Sequence, residues 1–299
     1  MSYTFAIASG KGGTGKTTVA VNLAKHIAQF KTPKVLLVDC DVEEPNDLLF
    51  FDNHKLEKSE ELFVIVPEID AEKCNFCKKC SDFCEFNAIT IIPSETFIHV
   101  NIELCHSCGA CFHACKIGAI TESLSSIGHF NRYSTTIGNG LIEGRLRIGS
   151  AMQTALIRKL KEKITSENRI VLLDAPPGNS CPVVQTVSDA DYVILVTEPT
   201  PFGVNDLKIT IALLREMKKP FGVIVNKSGL GNNEIYNYLE KSAIDLLGEI
   251  PFDKEYASKY AMGTILSAID KETESRYLNI IDNLEKSVKK NEGNNHFEW

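Results

Sequence analysis

Residues Gly10-Lys11-Gly12-Gly13-Thr14-Gly15-Lys16-Thr17 decide the fold. They fill every position of the G-x-x-x-x-G-K-[ST] pattern, whose glycines let backbone N–H groups turn inward around phosphate oxygens while the following helix N-terminus adds its partial positive charge. The pattern carries weight only between a strand and a helix. Tyr3-Thr4-Phe5-Ala6-Ile7-Ala8 before it is a short apolar run that predicts a buried strand, and residues 16–30 after it place Val19, Leu23, Ile27 and Phe30 at helical spacing. In such a loop Lys16 is expected to reach the β- and γ-phosphates and the Thr17 hydroxyl to ligate Mg²⁺, with Thr18 also in contact with the nucleotide.

Working outward, further apolar runs at 34–39, 169–174, 192–197 and 221–226 predict strands, and helical patterns lie at 149–163, 204–218, 232–241 and 274–290. Continuous apolar strands suit a sheet covered on both faces, so the expected class is α/β with a doubly wound, mostly parallel sheet. The 299 residues allow about two domains, and 43% hydrophobic residues exclude a disordered or fibrous chain. With 32 Lys+Arg against 39 Asp+Glu there is no basic excess for nucleic acid, no run approaches membrane-span length, and no export signal is visible. A cytoplasmic protein binding neither nucleic acid nor membrane is the expectation. The polar tail after Lys290 is expected to lack order apart from its two aromatics and to carry no function.

Eight of the ten cysteines fall between Cys74 and Cys115. Cys74, Cys77, Cys80 and Cys84 recur as Cys105, Cys108, Cys111 and Cys115 at a constant offset of 31, which also carries Ala88-Ile89 onto Ala119-Ile120. This is an internal duplication, and it marks an insertion. The domains are therefore expected at 1–56 with 126–299, and at 57–125, the latter holding 11 Asp+Glu against 5 Lys+Arg. In an unexported chain clustered cysteines point to metal rather than disulfides. Each C-x₂-C-x₂-C-x₃-C run matches the bacterial ferredoxin spacing for [4Fe–4S] clusters, in which the fourth cysteine serves the other run's cluster. Carrying that crossing over gives Cys74, Cys77, Cys80 and Cys115 for one cluster and Cys105, Cys108, Cys111 and Cys84 for the second. Glu85 and Lys116 stand where a proline usually follows, and zinc is the competing metal for C-x₂-C pairs. His106 and His113 are expected beside the ligands rather than among them. The acidic insert, made more so by the charge of each thiolate-bound cluster, is expected to face basic partners.

Lys11, directly after the first glycine, makes the loop resemble the deviant phosphate loop of the MinD/ParA/nitrogenase iron protein superfamily, and with the cysteine runs the chain resembles members of it that contain an inserted ferredoxin domain. The resemblance implies a nucleotide-dependent homodimer in which Lys11 crosses to the partner's nucleotide. It further implies that Asp174, before Ala175-Pro176-Pro177-Gly178, holds Mg²⁺ through water, that Asp41 orients the attacking water and that Asp39 supports Mg²⁺. Asn226 would pair with the adenine edge, and 198–203 and 250–253, including Pro251, would line the base pocket, which favours ATP over GTP. The implied activity is slow, Mg²⁺-dependent ATP hydrolysis coupled to electron delivery through two [4Fe–4S] clusters to a partner metalloprotein. A cofactor assembly or carrier ATPase is the alternative, and a nucleotide switch with structural clusters a third reading. Cys181 is the lone candidate for a labile bridging cluster, and Cys40 is expected to be a packed side chain. The C-terminus does not resemble that of membrane-targeted MinD.

Overall fold

In β1 (Tyr3–Ala8) alternate side chains enter two different cores: Phe5 and Ile7 one, Ala6 and Ala8 the other. That is why the run is apolar without interruption. The structure, a computed structural model, describes residues 2–165, 170–267, 269–292, 297 and 299. After β1 come α1 (Lys16–Phe30), β2 (Val35–Asp39), β3 (Lys55–Ile69), α2 (Lys79–Asp82), β4 (Ile89–Ile92), β5 (Phe97–Val100), α3 (Ala110–Ala114), β6 (Ile120–Ser134) and β7 (Leu141–Leu146). The remainder alternates: α4 (Gln153–Lys161), β8 (Ile170–Asp174), α5 (Cys181–Val187), β9 (Tyr192–Thr197), α6 (Pro201–Glu216), β10 (Phe221–Ser228), α7 (Glu234–Lys241), β11 (Leu246–Pro251), α8 (Lys254–Ala261) and α9 (Lys271–Glu292).

The main sheet has the order β11-β10-β9-β1-β8-β2-β7-β6-β3. From β11 to β7 every pairing is parallel, and the last two are antiparallel. The five strands and five helices expected from the patterns are present with ends shifted by a few residues, and Arg169 lies outside the described residues. Phe30 closes the apolar stripe of α1 but stays half-exposed, stacked beside His26. In the tail the two aromatics, set apart in the sequence from their polar neighbours, pack onto β1. Phe297 is buried against Tyr3 and Phe5, and Trp299 stacks on Phe5 at 5.8 Å; residues 293–296 and 298 lie outside the described set.

β3 and β6 were not expected, nor was β7. The first two pair antiparallel over their whole length, from Lys55 opposite Ser134 to Ile69 opposite Ile120, but β7 supports β6 only between Gly128 and Tyr133. The far half of the pair therefore leaves the sheet as a two-stranded ribbon. The exit is marked by a register shift between Leu62 and Phe63, and by Gly128, where a Cβ would meet the Arg145 carbonyl oxygen at 2.2 Å. Bulges of this kind bend a strand and sharpen its twist. Along the ribbon Leu62, Val64 and Val66 are buried while Phe63 and Ile65 are exposed, the period-two pattern of a half-covered strand. What covers it is the cysteine module carried at its end: Ala88 and Cys105 share a core with Val64 and Val66, and Cys80, Ile89, Ile91, Cys111 and Ile120 form a smaller core beyond.

Candidate nucleotide site and cysteine module

The phosphate loop joins β1 to α1, and its geometry demands glycine at Gly15. The backbone there has φ +87°, and a Cβ would lie 2.1 Å from the Asn226 amide nitrogen. A Cβ at Gly10 would lie 2.7 Å from Asp206 of α6, whereas Gly12 and Gly13 border open space. Lys16 is almost fully buried, with Nζ 2.6 Å from Asp174 Oδ1, and the Thr17 hydroxyl donates to Asp174 Oδ2 at 2.8 Å. Thr18 is buried one position on, its carbonyl accepting from the Asn22 amide. Buried Thr14 has no partner for its hydroxyl among the described residues, while its carbonyl accepts from Asn226 Nδ2 at 2.7 Å. Asn226 thus braces the loop. Pro251 ends β11 beside Ser228, at the same end of the sheet.

Asp39 organises the loop after β2. Its carboxylate accepts the backbone N–H of Asp41, Asn46 and Asp47 at 3.0, 2.8 and 3.0 Å. Burial and the nearby Asp174 carboxylate nevertheless push Asp39 up to about 7. Burial also pushes Asp41 up, against the pull of Lys16. Around the Lys16 ammonium burial acts to lower its pKa, but Asp174, then Asp47 and Asp39, outweigh it and hold the charge on.

Asp47 escaped the sequence reading. It is fully buried, neither carboxylate oxygen has a hydrogen-bond partner among the described residues, and burial, then Asp39 and Asp174, push its pKa well above the usual range. A lone aspartate in a turn carries no pattern. Only the fold brings it beside two strand-end carboxylates. Asp174, Asp39 and Asp47 around Lys16 supply carboxylate oxygen, the ligand type that Mg²⁺, a hard cation, takes, though the three do not converge on one point. A carboxyl with a raised folded-state pKa contributes stability fully present below its unfolded value near 3.8 and lost as pH rises through the folded value. Asp47→Asn is therefore expected to raise the melting temperature of the ligand-free protein at neutral pH, the gain shrinking as pH falls toward 4; thermal melts across that range, with an unchanged or reversed difference, would contradict this.

Lys11 lies in its own chain's site. Its Nζ is 2.5 Å from Glu198 Oε1, and Lys227 holds the other Glu198 oxygen at 3.1 Å and the Gly13 carbonyl at 2.6 Å. Asp41 lines a cleft of about 520 Å³ together with Glu43, Arg147, Gly149, Pro176 and Ser180. The loop 147–150 on its far side comes near the cysteine module, where a Cβ on Gly149 would lie 3.1 Å from Oε1 of exposed Glu103. Cys181 opens α5 beside this cleft and is exposed, whereas Cys40 is fully buried and burial pushes its thiol up.

In the module, duplication extends to the backbone. Phe76 and Ser107, Lys78 and Gly109, and Asn87 and Gly118 are pairs at the offset of 31, and all six have positive φ. The turns present N–H groups to sulfur: Phe76 to Cys74 and Ser107 to Cys105, at 3.3 and 3.4 Å. Ala88 does so for Cys84 at 3.3 Å. Cys74, Cys77, Cys80 and Cys115 line one cavity of about 90 Å³. Cys108 and Cys84 lie near enough to Cys105 for their charge to add to the burial that raises its thiol, and burial pushes Cys111 up to about 11. Among the described residues no three or more His, Cys, Asp or Glu side chains converge tightly enough to hold a single metal ion. A zinc ion at about 2.3 Å from each sulfur needs that convergence. The thiolate donor set itself is of the kind that an iron–sulfur cluster uses. His106 stacks on Phe86 at 3.7 Å, and His113 is exposed.

Residues 5–267 match the family model of the CobQ/CobB/MinD/ParA nucleotide binding domain. An uncharacterised protein of Methanocaldococcus jannaschii is 35% identical over 249 residues, 83% of this chain and 84% of its own length. An iron-sulfur cluster carrier protein of Pyrococcus furiosus is 24% identical over 84% of this chain and 74% of its own. The fold is similar to that of the Pyrococcus furiosus cell division ATPase MinD, with a TM-score of 0.57 and 17% identity over 96% of this chain and 99% of that one. With the family model covering most of the chain and the phosphate loop, its buried lysine and the strand-end aspartates in place, this protein belongs to the CobQ/CobB/MinD/ParA nucleotide-binding family.

Proposed function

We propose that the protein is a Mg²⁺-dependent ATPase whose nucleotide state governs electron delivery through two [4Fe–4S] clusters to a partner metalloprotein. Lys16, Thr17 and the backbone of Gly10, Gly12, Gly13, Thr14 and Gly15 bind the phosphates, Thr18 adds to that site, Asp174, Asp39 and Asp47 surround Mg²⁺, and Asp41 orients water. Asn226 and Pro251 border the base. Lys11 leaves Glu198 to reach the nucleotide of a second copy; its ion pair is partly exposed, so releasing it costs about 1 kcal/mol or less. Cys74, Cys77, Cys80 and Cys115 hold one cluster and Cys105, Cys108, Cys111 and Cys84 the other. Each bound cluster supplies one-electron redox capacity.

The observation that carries the coupling is the loop 147–150, which lines the cleft with Asp41 and Pro176 on one side and comes near Glu103, two residues before Cys105, on the other. Cys105 also shares a core with Val42 and Met152, beside the cleft loops, so movement of the aspartate loops on nucleotide binding would be felt at the second cysteine set. A cluster carrier is the alternative, favoured by the relative of that name and by exposed Cys181. An EPR-monitored redox titration of anaerobically purified protein, with an iron count, separates them. About eight irons per chain and potentials that move on adding MgATP are expected. Potentials indifferent to nucleotide would favour the carrier, and zinc in place of iron would overturn the cluster assignment.

A further inference from the structure

The duplication provides an internal control on charge. Residues 70–119 contain four lysines, Lys73, Lys78, Lys79 and Lys116, and each is the immediate neighbour of a cysteine of the outer set, Cys74, Cys77, Cys80 and Cys115. At the offset of 31 the inner set has Leu104, Gly109, Ala110 and Glu85 in their places. Lysine is thus present four times on one side and absent four times on the other. Three of the four, Lys78, Lys79 and Lys116, line the same cavity as the outer cysteines, and all four are exposed; Lys73 also pairs with Asp70 at 2.8 Å. Cys77 is exposed among them, and Ile117, 47% exposed, lines the same cavity. The outer set sits at the far end of the ribbon from the phosphate loop, where Asp70 N–H meets the Ala119 carbonyl.

We infer that this lysine-framed end is the docking face for a small acidic redox protein, the apolar Ile117 meeting it at the centre. The inference rests on the cluster reading for its purpose, and it reverses the expectation of a basic partner drawn from the insert's total charge. Net charge is the wrong measure: the potential that steers an encounter is set by groups within about 8–10 Å of the contact, and on a chain whose total is -7 the lining of this cavity has Lys78, Lys79 and Lys116 and no carboxylate. Complementary charge of this kind governs association rate and partner choice more than intrinsic affinity.

The test is calorimetric titration of the anaerobically purified full chain with flavodoxin, an acidic flavin protein, and in parallel with cytochrome c, a basic haem protein. Flavodoxin is expected to bind at low salt and to weaken about tenfold or more at physiological salt, and the triple variant K78E/K79E/K116E to weaken it by a similar factor at low salt. The control E95K, elsewhere in the module, is expected to leave it unchanged. Binding of cytochrome c in preference, equal flavodoxin binding by the triple variant, or binding of phosphatidylglycerol vesicles but not of flavodoxin would each overturn the inference. Should the triple variant misfold, K78Q/K116Q reads the same effect with less charge change. Iron counted on the same samples keeps the two readings apart: its absence sinks the cluster assignment, while the titration reads the lysine frame whether or not metal fills the cysteines.

Discussion

Lys16→Ala is expected to abolish MgATP binding and, separately, to destabilise the ligand-free fold by about 3–5 kcal/mol, the cost of breaking a buried ion pair by removing one partner. The second effect follows from the surroundings. Lys16 is the buried cation among Asp174, Asp39 and Asp47, and without it those carboxylates lose the charge that offsets their burial. Isothermal titration with ATP measures the first effect and denaturant unfolding the second. The double variant K16A/D174N separates them, because it restores stability in part while leaving binding lost. The iron content of Lys16→Ala should be unchanged, since the cysteine module has its own small core. Retained nucleotide affinity would remove Lys16 from the phosphate site.

Asp41→Ala is expected to behave in the opposite way. Asp41 is only half-buried, lies at the mouth of the cleft rather than in the carboxylate cluster, and has no ion pair to leave broken among the described residues. Stability and MgATP affinity should stay close to those of the parent, while the hydrolysis rate falls about 10²-fold or more, the range of a lost group that positions or deprotonates a nucleophile. Phosphate release under saturating ATP reads the rate, and an unchanged rate would end the assignment. Paired with the lysine variant, it distinguishes a group that holds the nucleotide from one that acts on it.

How much of this was legible in the sequence depended on whether a local pattern existed. The parallel strands were, because burial on both faces leaves no polar interruption, as in Ile170–Asp174. The ribbon was not. β3 starts with Lys55-Leu56-Glu57-Lys58, all exposed, and β6 carries polar residues through its length. β7 has a glutamate in its middle, and Glu143 is fully buried only because Asn131, Tyr133 and Arg145 all donate to it, partners that the chain supplies from another strand and from two residues away. The phosphate loop and cysteine runs are spacing motifs, readable without a fold. Asp47, by contrast, belongs to the site through burial alone, and the hold of Glu198 on Lys11 joins residues 187 positions apart.

The ribbon also has a mechanical consequence. Residues 63–69 reach about 24 Å beyond the sheet at roughly 3.4 Å per residue, so a tilt of about 5° at the Leu62/Phe63 bulge swings the tip by about 2 Å. The root of this lever is the sheet edge, one strand away from β2, whose end holds Asp39 level with Glu143 of β7. A rearrangement too small to change any contact around the phosphate loop would be multiplied along such an arm, into a displacement at the outer cysteines comparable with the diameter of an atom.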